Sequence, residues 1–282
     1  MKKYNKNNFY FRIFPKKQNI LNCNMIVFFW IKNKTESIFQ LTYILSIIQK
    51  NKKILIIGKN KFGIKSITKK MHEWMYIKKI LYKKKCTVYL SYKKKKVNFA
   101  LKNFFKKHIL YNQIIITLPG VFGYKKIDPG SILLISTFNK SIQGKVLDVG
   151  SGSGILSVML HKKNSNIKLT LIDNNSTALL CSRYSLKENK IIGNVFYSNL
   201  FSHVQEKYNF IISNPPTHYG NLNNLKIVHE LIKQSVNFLH KNGELRIILH
   251  SNISCTEILL QEFGNYKILK QKNHYKVYQS IL

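Results

Sequence analysis

Carboxylates are scarce in this chain. Three aspartates and eight glutamates face 47 lysines and arginines, giving a formal charge of +36. Such an excess points to a polyanionic partner. Arginine is scarce as well, with Arg12, Arg183 and Arg246 the whole complement. Phosphate recognition favours the planar guanidinium fork, so much of the charge reads as compositional drift toward lysine, asparagine and isoleucine. The four cysteines (Cys23, Cys86, Cys181, Cys255) form no C-x-x-C pair. Their scatter argues against a zinc site and a disulfide framework, and no metal is expected. Long apolar runs are missing too. Met25 to Ile31 is too short to span ~30 Å of hydrocarbon. The basic start, M-K-K-Y-N-K-N-N, lacks an apolar signal-peptide core. These absences lead to the expectation of a soluble, cytoplasmic protein without a membrane role.

What is present is enough for a core. The chain has 282 residues, 45% of them hydrophobic, and at roughly 100–200 residues per domain it fits one large or two modest domains. The charge is unevenly spread. Residues 1–127 carry 30 basic and 2 acidic side chains, and residues 128–282 carry 17 and 9. Drift acts on both halves alike, so the asymmetry favours an N-terminal part that docks on nucleic acid. Lys83 to Lys96 sets lysine runs among Tyr82, Tyr89 and Tyr92. Lysines for phosphates and faces for stacking suit RNA. A strand edge kept charged against aggregation is an equally ordinary reading.

The apolar patterning predicts strands alternating with helices, hence a mostly parallel sheet with ligands at the strand ends. In the first half, strands are expected at Met25 to Ile31 and Lys53 to Ile57. Between them lies a helix capped by Thr35-Glu36-Ser37. Ile114 to Leu118 reads as a strand and Asp128-Pro129-Gly130-Ser131 as a turn before a helix-like stretch. Strands then follow at 145–149, 168–172, 194–197, 210–213 and 244–249. A closing hairpin near 266–270 and 275–279 adds an antiparallel edge.

Two loops carry the chemistry. V-L-D-V-G-S-G-S-G (146–154) ends a strand in Asp148 and sets Gly150, Gly152 and Gly154 at every second position. At a strand–helix junction amides point outward and only glycine allows close approach, so a nucleoside cofactor is expected there. Asp173 ends the next strand, 19 residues past Gly154, where its carboxylate can accept from both ribose hydroxyls. Alone, these features also fit a dinucleotide fold. Asp148 and the G-x-G-x-G spacing tilt the choice, because a pyrophosphate disfavours a nearby carboxylate and a zwitterionic methionine end tolerates one. Asn214-Pro215-Pro216 is the more specific signal. The prolines stiffen the loop and leave carbonyls free. The Asn214 oxygen and the Pro215 carbonyl can accept from an exocyclic NH2 and aim its lone pair at an electrophilic methyl. All three aspartates, Asp128, Asp148 and Asp173, stand at the proposed site. Upstream, K-I-L-I-I-G-K-N-K-F (53–62) aligns with K-V-L-D-V-G-S-G-S-G (145–154) and has lost the acid and two glycines. It reads as a duplicated loop that kept the fold and lost the site.

From L-P-G-V-F-G (118–123) through D-P-G-S-I-L-L-I-S-T (128–137), the glycine loop, L-T-L-I-D (169–173), S-N-L-F-S (198–202) and F-I-I-S-N-P-P-T-H-Y-G (210–220), the chain resembles class I S-adenosylmethionine-dependent methyltransferases of the N-P-P type. Within them it is similar to the family that methylates guanine N2 in 16S rRNA. F-W-I-K-N-K-T-E (29–36) and I-G-K-N-K-F-G-I-K-S (57–66) extend the resemblance into the first half. It implies an α/β fold of two tandem Rossmann-like methyltransferase domains. Residues 1–117 would be a degenerate domain that docks RNA, and 118–282 the catalytic domain. It implies S-adenosylmethionine as cofactor and 16S rRNA of the 30S subunit as partner, met by a monomer. Asp148, Gly150, Ser151, Gly152, Gly154, Asp173, Asn174, Ser198, Asn199 and Asn214 would border the cofactor. Asn214, Pro215 and Pro216 would hold the target amine, with Thr217, His218, Tyr219 and Phe122 around the base. Thr217 departs from the family, which has an aromatic there for stacking; Tyr219 and Phe122 are candidates to replace it. Two other readings stay open: methylation of another amine, such as glutamine or adenine, and a non-catalytic RNA-binding or assembly factor.

Overall fold

A computed structural model describes residues 13–216 and 222–282, without the side chains of 222–224. Thr217, His218 and Tyr219 lie outside the described residues. The chain divides into two compact units, Met1–Phe105 and Lys106–Leu282.

The first unit contains α1 (Lys17–Asn22), β1 (Met25–Trp30), α2 (Lys34–Ile47), β2 (Lys53–Lys59), α3 (Ile67–Met71), β3 (Met75–Lys83) and β4 (Cys86–Lys93). Its sheet runs β1-β2-β4-β3. Only β1 and β2 are parallel, and β4 is antiparallel to both of its neighbours. The expected parallel pattern is thus reduced here to one β–α–β unit. The cap of α2 also differs from the expected Thr35-Glu36-Ser37. Asn33 is the N-cap, and its side chain accepts from the Glu36 N–H. The lysine-rich stretch is a hairpin turning on Lys84 and Lys85, both at positive φ, which matches the right-handed strand twist. At the decayed loop, Trp30 fills the space beside β2: a Cβ on Gly58 would lie 2.7 Å from the Trp30 Cβ. The Trp30 indole donates to the Phe62 carbonyl at 3.2 Å.

The second unit opens with a hairpin, β5 (Lys106–Leu110) and β6 (Gln113–Thr117). The Ile116 N–H donates to Ser185 Oγ and the Ile114 N–H to Asn189 Oδ1. These bonds tie the hairpin to the second unit, so the division falls after Phe105 and not after residue 117. Next come α4 (Pro129–Ile135), β7 (Lys145–Val149), α5 (Ile155–Lys163), β8 (Lys168–Asp173), α6 (Ser176–Glu188), β9 (Gly193–Tyr197), β10 (Tyr208–Ser213), α7 (Leu222–Ser235), β11 (Leu239–His250), α8 (Thr256–Phe263), β12 (Lys267–Lys272) and β13 (Tyr275–Ile281).

The sheet order is β12-β13-β11-β10-β7-β8-β9. The five strands from β9 to β11 are parallel, and β13 and β12 close the edge antiparallel, as the sequence suggests. Alternate residues of each strand enter separate cores. Val146, Leu169, Phe210 and Ile212 pack with α4, α5 and α6 residues, while Leu147, Val149, Ile211 and Ile247 pack with α7 and α8 residues. Burial on both faces explains why these strands read as nearly continuous apolar runs. Chain order reverses between β7 and β10, and such a switch point opens a crevice beyond the carboxyl ends of the strands. Ser213 pairs with Val149 across that boundary, so the residues that follow each of them emerge side by side.

Candidate active site

A cavity of about 890 Å³ occupies this crevice. It brings together Gly150, Ser151, Gly152, Asp173, Asn174, Ser198, Asn199, Asn214, Pro215, Pro216 and Phe122 from the sequence expectation. Two expected residues do not line it. Asp148 is 0% exposed beneath the glycine loop, and Gly154 packs elsewhere.

The glycine loop is stiff because its amides are already committed. Gly150 and Ser151 N–H both donate to the Ile172 carbonyl at 2.9 Å, and Gly154 N–H donates to the Ser151 carbonyl. Gly152 N–H donates to Asp173 Oδ2 at 2.9 Å. The expectation of outward-pointing amides is corrected for these four positions: the neighbouring strand end, Asp173 and the loop's own Ser151 carbonyl take them. A pyrophosphate would need those donors. The loop instead offers smooth space. A Cβ added at Gly150 meets nothing within 4 Å, and one at Gly152 meets only the Gly150 carbonyl at 4.0 Å. Gly154 differs, for its added Cβ would lie 3.2 Å from the Ser182 Cα of α6. It serves the left-handed turn, φ 75°, and the close helix contact.

The two acids of the site are electrostatically coupled. Asp148 Oδ2 accepts from Ser157 Oγ at 2.7 Å, and its Oδ1 is buried without a hydrogen-bond partner. Burial pushes its pKa up to about 7; the Ser157 bonds oppose this and the Asp173 charge adds to it. Asp173 Oδ1 accepts from Asn175 N–H at 2.8 Å. Burial raises its pKa too, against the bonds from Gly152 and Asn175. Asn174 N–H bonds to this carboxylate as well, and a carboxylate with about four lone-pair sites still keeps at least one free after three such bonds. An unpartnered buried acceptor and two raised carboxylates favour a ligand that brings positive charge and hydroxyl donors.

Asn214 follows β10 and lines the same cavity as Asp173. Ser213 Oγ donates to the Val149 carbonyl at 2.7 Å and locks the strand end beneath it. The Asn214 amide donates to Ser131 Oγ at 2.9 Å and to Asp128 Oδ2 at 3.1 Å. Phe122, 54% exposed, stands on the same cavity wall as Gly120 and Val121. Sequence reasoning missed Ser131, Ser157, His250 and Tyr275. Asp128-Pro129-Gly130-Ser131 could have pointed to Ser131, since a third aspartate stands beside it in an acid-poor chain.

Comparison with known proteins agrees with this architecture. The methyltransferase small domain family matches residues 112–279, and the methyltransferase small domain N-terminal family matches residues 1–108. Ribosomal RNA small subunit methyltransferase C of Buchnera aphidicola subsp. Acyrthosiphon pisum is 44% identical over 94% of this chain and 78% of the relative. The protein of the same description from Buchnera aphidicola subsp. Cinara cedri is 46% identical over 98% of this chain and 81% of the relative. Among solved structures, the T. thermophilus 16S rRNA N2 G1207 methyltransferase in complex with AdoMet and guanosine superposes with a TM-score of 0.82. It covers 92% of this chain and 72% of the other at 19% identity, which shows the shared fold. By the extent and identity of these matches, the chain belongs to the ribosomal RNA small subunit methyltransferase C family.

Proposed function

We propose that this chain transfers a methyl group from S-adenosylmethionine to the exocyclic N2 amine of a guanosine in 16S rRNA. It would do so as a cytoplasmic monomer acting on the 30S subunit. The observation that carries this reading is the shared cavity. Open glycine positions and the Asp173 carboxylate stand on one wall, and the Asn214 amide with Pro215 on the other.

The residues present suit the cofactor. When bound, S-adenosylmethionine supplies an electrophilic methyl. Gly150, Ser151 and Gly152 give its methionine end close approach. Asp148 holds negative charge beneath them, acting through the loop and not by lining it. Asp173, with Asn174, accepts from the ribose, and Ser198 and Asn199 border the adenine. Gly154 supports the turn. On the opposite wall the Asn214 oxygen and the Pro215 carbonyl accept from the guanine amine and direct its lone pair, with Pro216 stiffening the loop. Positioning of this kind supplies much of the catalysis when no strong base is present. A guanine in structured RNA must leave its stack to reach the cavity. In this reading Phe122, which lines the cavity, would meet its face, and Thr217, His218 and Tyr219 would be the other residues around the base. The first unit supplies the RNA contact, consistent with its 2 acidic residues, Glu36 and Glu73, among many lysines.

The test is incubation of unmethylated 30S subunits with labelled S-adenosylmethionine, followed by nucleoside analysis. Label should appear as N2-methylguanosine in 16S rRNA, and Asn214→Ala should abolish transfer while cofactor binding persists. Label in protein or adenine, or no label at all, would refute the proposal.

A further inference from the structure

The stretch Asp128-Pro129-Gly130-Ser131 reads in sequence as a plain turn, and the proposed reaction leaves it without a task. The structure gives it one. Asp128 caps α4, its Oδ2 accepting from the Ser131 N–H at 2.7 Å and lying 3.3 Å from Ser131 Oγ. The same Oδ2 accepts from Asn214 Nδ2 at 3.1 Å, across 86 residues of chain. Ser131 Oγ accepts the second amide proton at 2.9 Å. Both protons of the Asn214 amide are therefore used on the α4 side.

We infer that Asp128 and Ser131 are positioning residues that fix the Asn214 amide with its oxygen turned toward the incoming amine. The inference rests on the reading of Asn214 as the acceptor for that amine. Its physical basis is the chemistry of the partners. A carboxylate has no proton to give. Ser131 donates its one hydroxyl proton to Asp128, so it too can only accept from Asn214. An amide turned over would set its oxygen against two acceptors, so one orientation alone is compatible with the site. Without these partners the amide could present its NH2 to the substrate amine, two donors face to face.

The surroundings hold the device in place. Ser131 is 4% exposed. Gly130 has no room for a side chain: an added Cβ would lie 2.8 Å from Tyr275 Cε1 and 2.9 Å from Asp128 Oδ2. The Tyr275 hydroxyl is 3.5 Å from the other Asp128 oxygen. The helix start, the start of β13 and the N-P-P loop thus converge on one carboxylate.

The test separates orientation from folding. Serine is a good helix cap but too short to reach Asn214. Asp128→Ser should therefore keep the thermal midpoint and the affinity for S-adenosylmethionine. It should lower kcat on 30S subunits by on the order of 10- to 100-fold, as expected for a lost hydrogen bond to a charged group, with KM little changed. Asp128→Asn, whose oxygen can replace Oδ2, should recover most of the loss. Ser131→Ala should lower kcat by a smaller factor. A readout independent of turnover is the pair of Asn214 side-chain amide protons in selectively 15N-labelled protein. They should exchange slowly in the parent and quickly in Asp128→Ser. Full kcat in Asp128→Ser or fast exchange in the parent would overturn the inference. Full transfer by Asn214→Ala would instead overturn the acceptor reading and leave the exchange result standing on its own.

Discussion

Asp148 should make the stability of the cofactor-free protein fall as pH rises. Its carboxyl is 0% exposed, bonded through one oxygen to Ser157 at 2.7 Å and unpartnered at the other. Burial moves its pKa from 3.8 to about 7, so the folded state holds the proton more tightly than the unfolded chain. Its contribution is then most favourable below the unfolded value, is lost as pH climbs through 7, and levels off above it. At 1.36 kcal/mol per pH unit the full loss is about 4 kcal/mol, of which about 2–3 kcal/mol falls between pH 5 and pH 8. Urea unfolding of the parent and of Asp148→Asn across that range isolates the group. The parent should lose stability relative to the variant by about that amount. The comparison is needed because His108 and His161 have pKa values lowered by burial, which adds stability as pH rises and opposes the trend. Parallel pH profiles for parent and variant would refute the burial argument, since Asp148 would then ionise as freely folded as unfolded.

Cofactor affinity should move the opposite way. Asp148 and Asp173 both have raised pKa values, and a cationic ligand favours their ionised forms, so binding releases protons. Affinity for S-adenosylmethionine measured by calorimetry should rise from pH 6 to pH 8 by up to about tenfold, and a flat profile would contradict the placement. The glycines should separate by function. Gly150→Ala has open space for its methyl and should fold with a cost of about 1–2 kcal/mol for its left-handed backbone, yet lose cofactor binding. Gly154→Ala, with its Cβ 3.2 Å from Ser182 Cα, should lose more stability in thermal melts. For the first unit, replacing Lys78, Lys79, Lys83, Lys84 and Lys85 by glutamine should weaken 30S binding. It should also flatten its salt dependence, by a slope of roughly 0.7–0.9 for each phosphate no longer neutralised; an unchanged slope would mean these lysines are only solvated.

Much of the second unit is legible in local sequence. Its strands are buried on both faces, so K-V-L-D-V and F-I-I-S appear as short apolar runs whose ends mark the cavity rim. The closing hairpin lies where Lys272-Asn273-His274 separates two runs, with Asn273 at positive φ. The first unit is less legible. Its β1–α2–β2 unit follows the pattern, but Asn33 displaces the expected cap, and β3 turns antiparallel through Lys84 and Lys85. The hairpin of β5 and β6 joins the second unit through side chains of α6 and the residue after it, which no local window contains.

The sequence alone determines which residue types stand at the strand ends: Asp148 near the end of β7 with the glycines after it, Asp173 closing β8, Asn214 and two prolines after β10. That information is local, because burial period and backbone restriction act within a few residues. Only the tertiary structure decides what these residues do with their hydrogen bonds. It turns Asp148 under the loop to Ser157, commits the glycine-loop amides to Ile172 and Asp173, and brings Asp128 and Ser131 to Asn214 across 86 and 83 residues. Parallel neighbours place distant loops at the same end of the sheet, and each polar group is then satisfied by whichever partner packing has brought within reach.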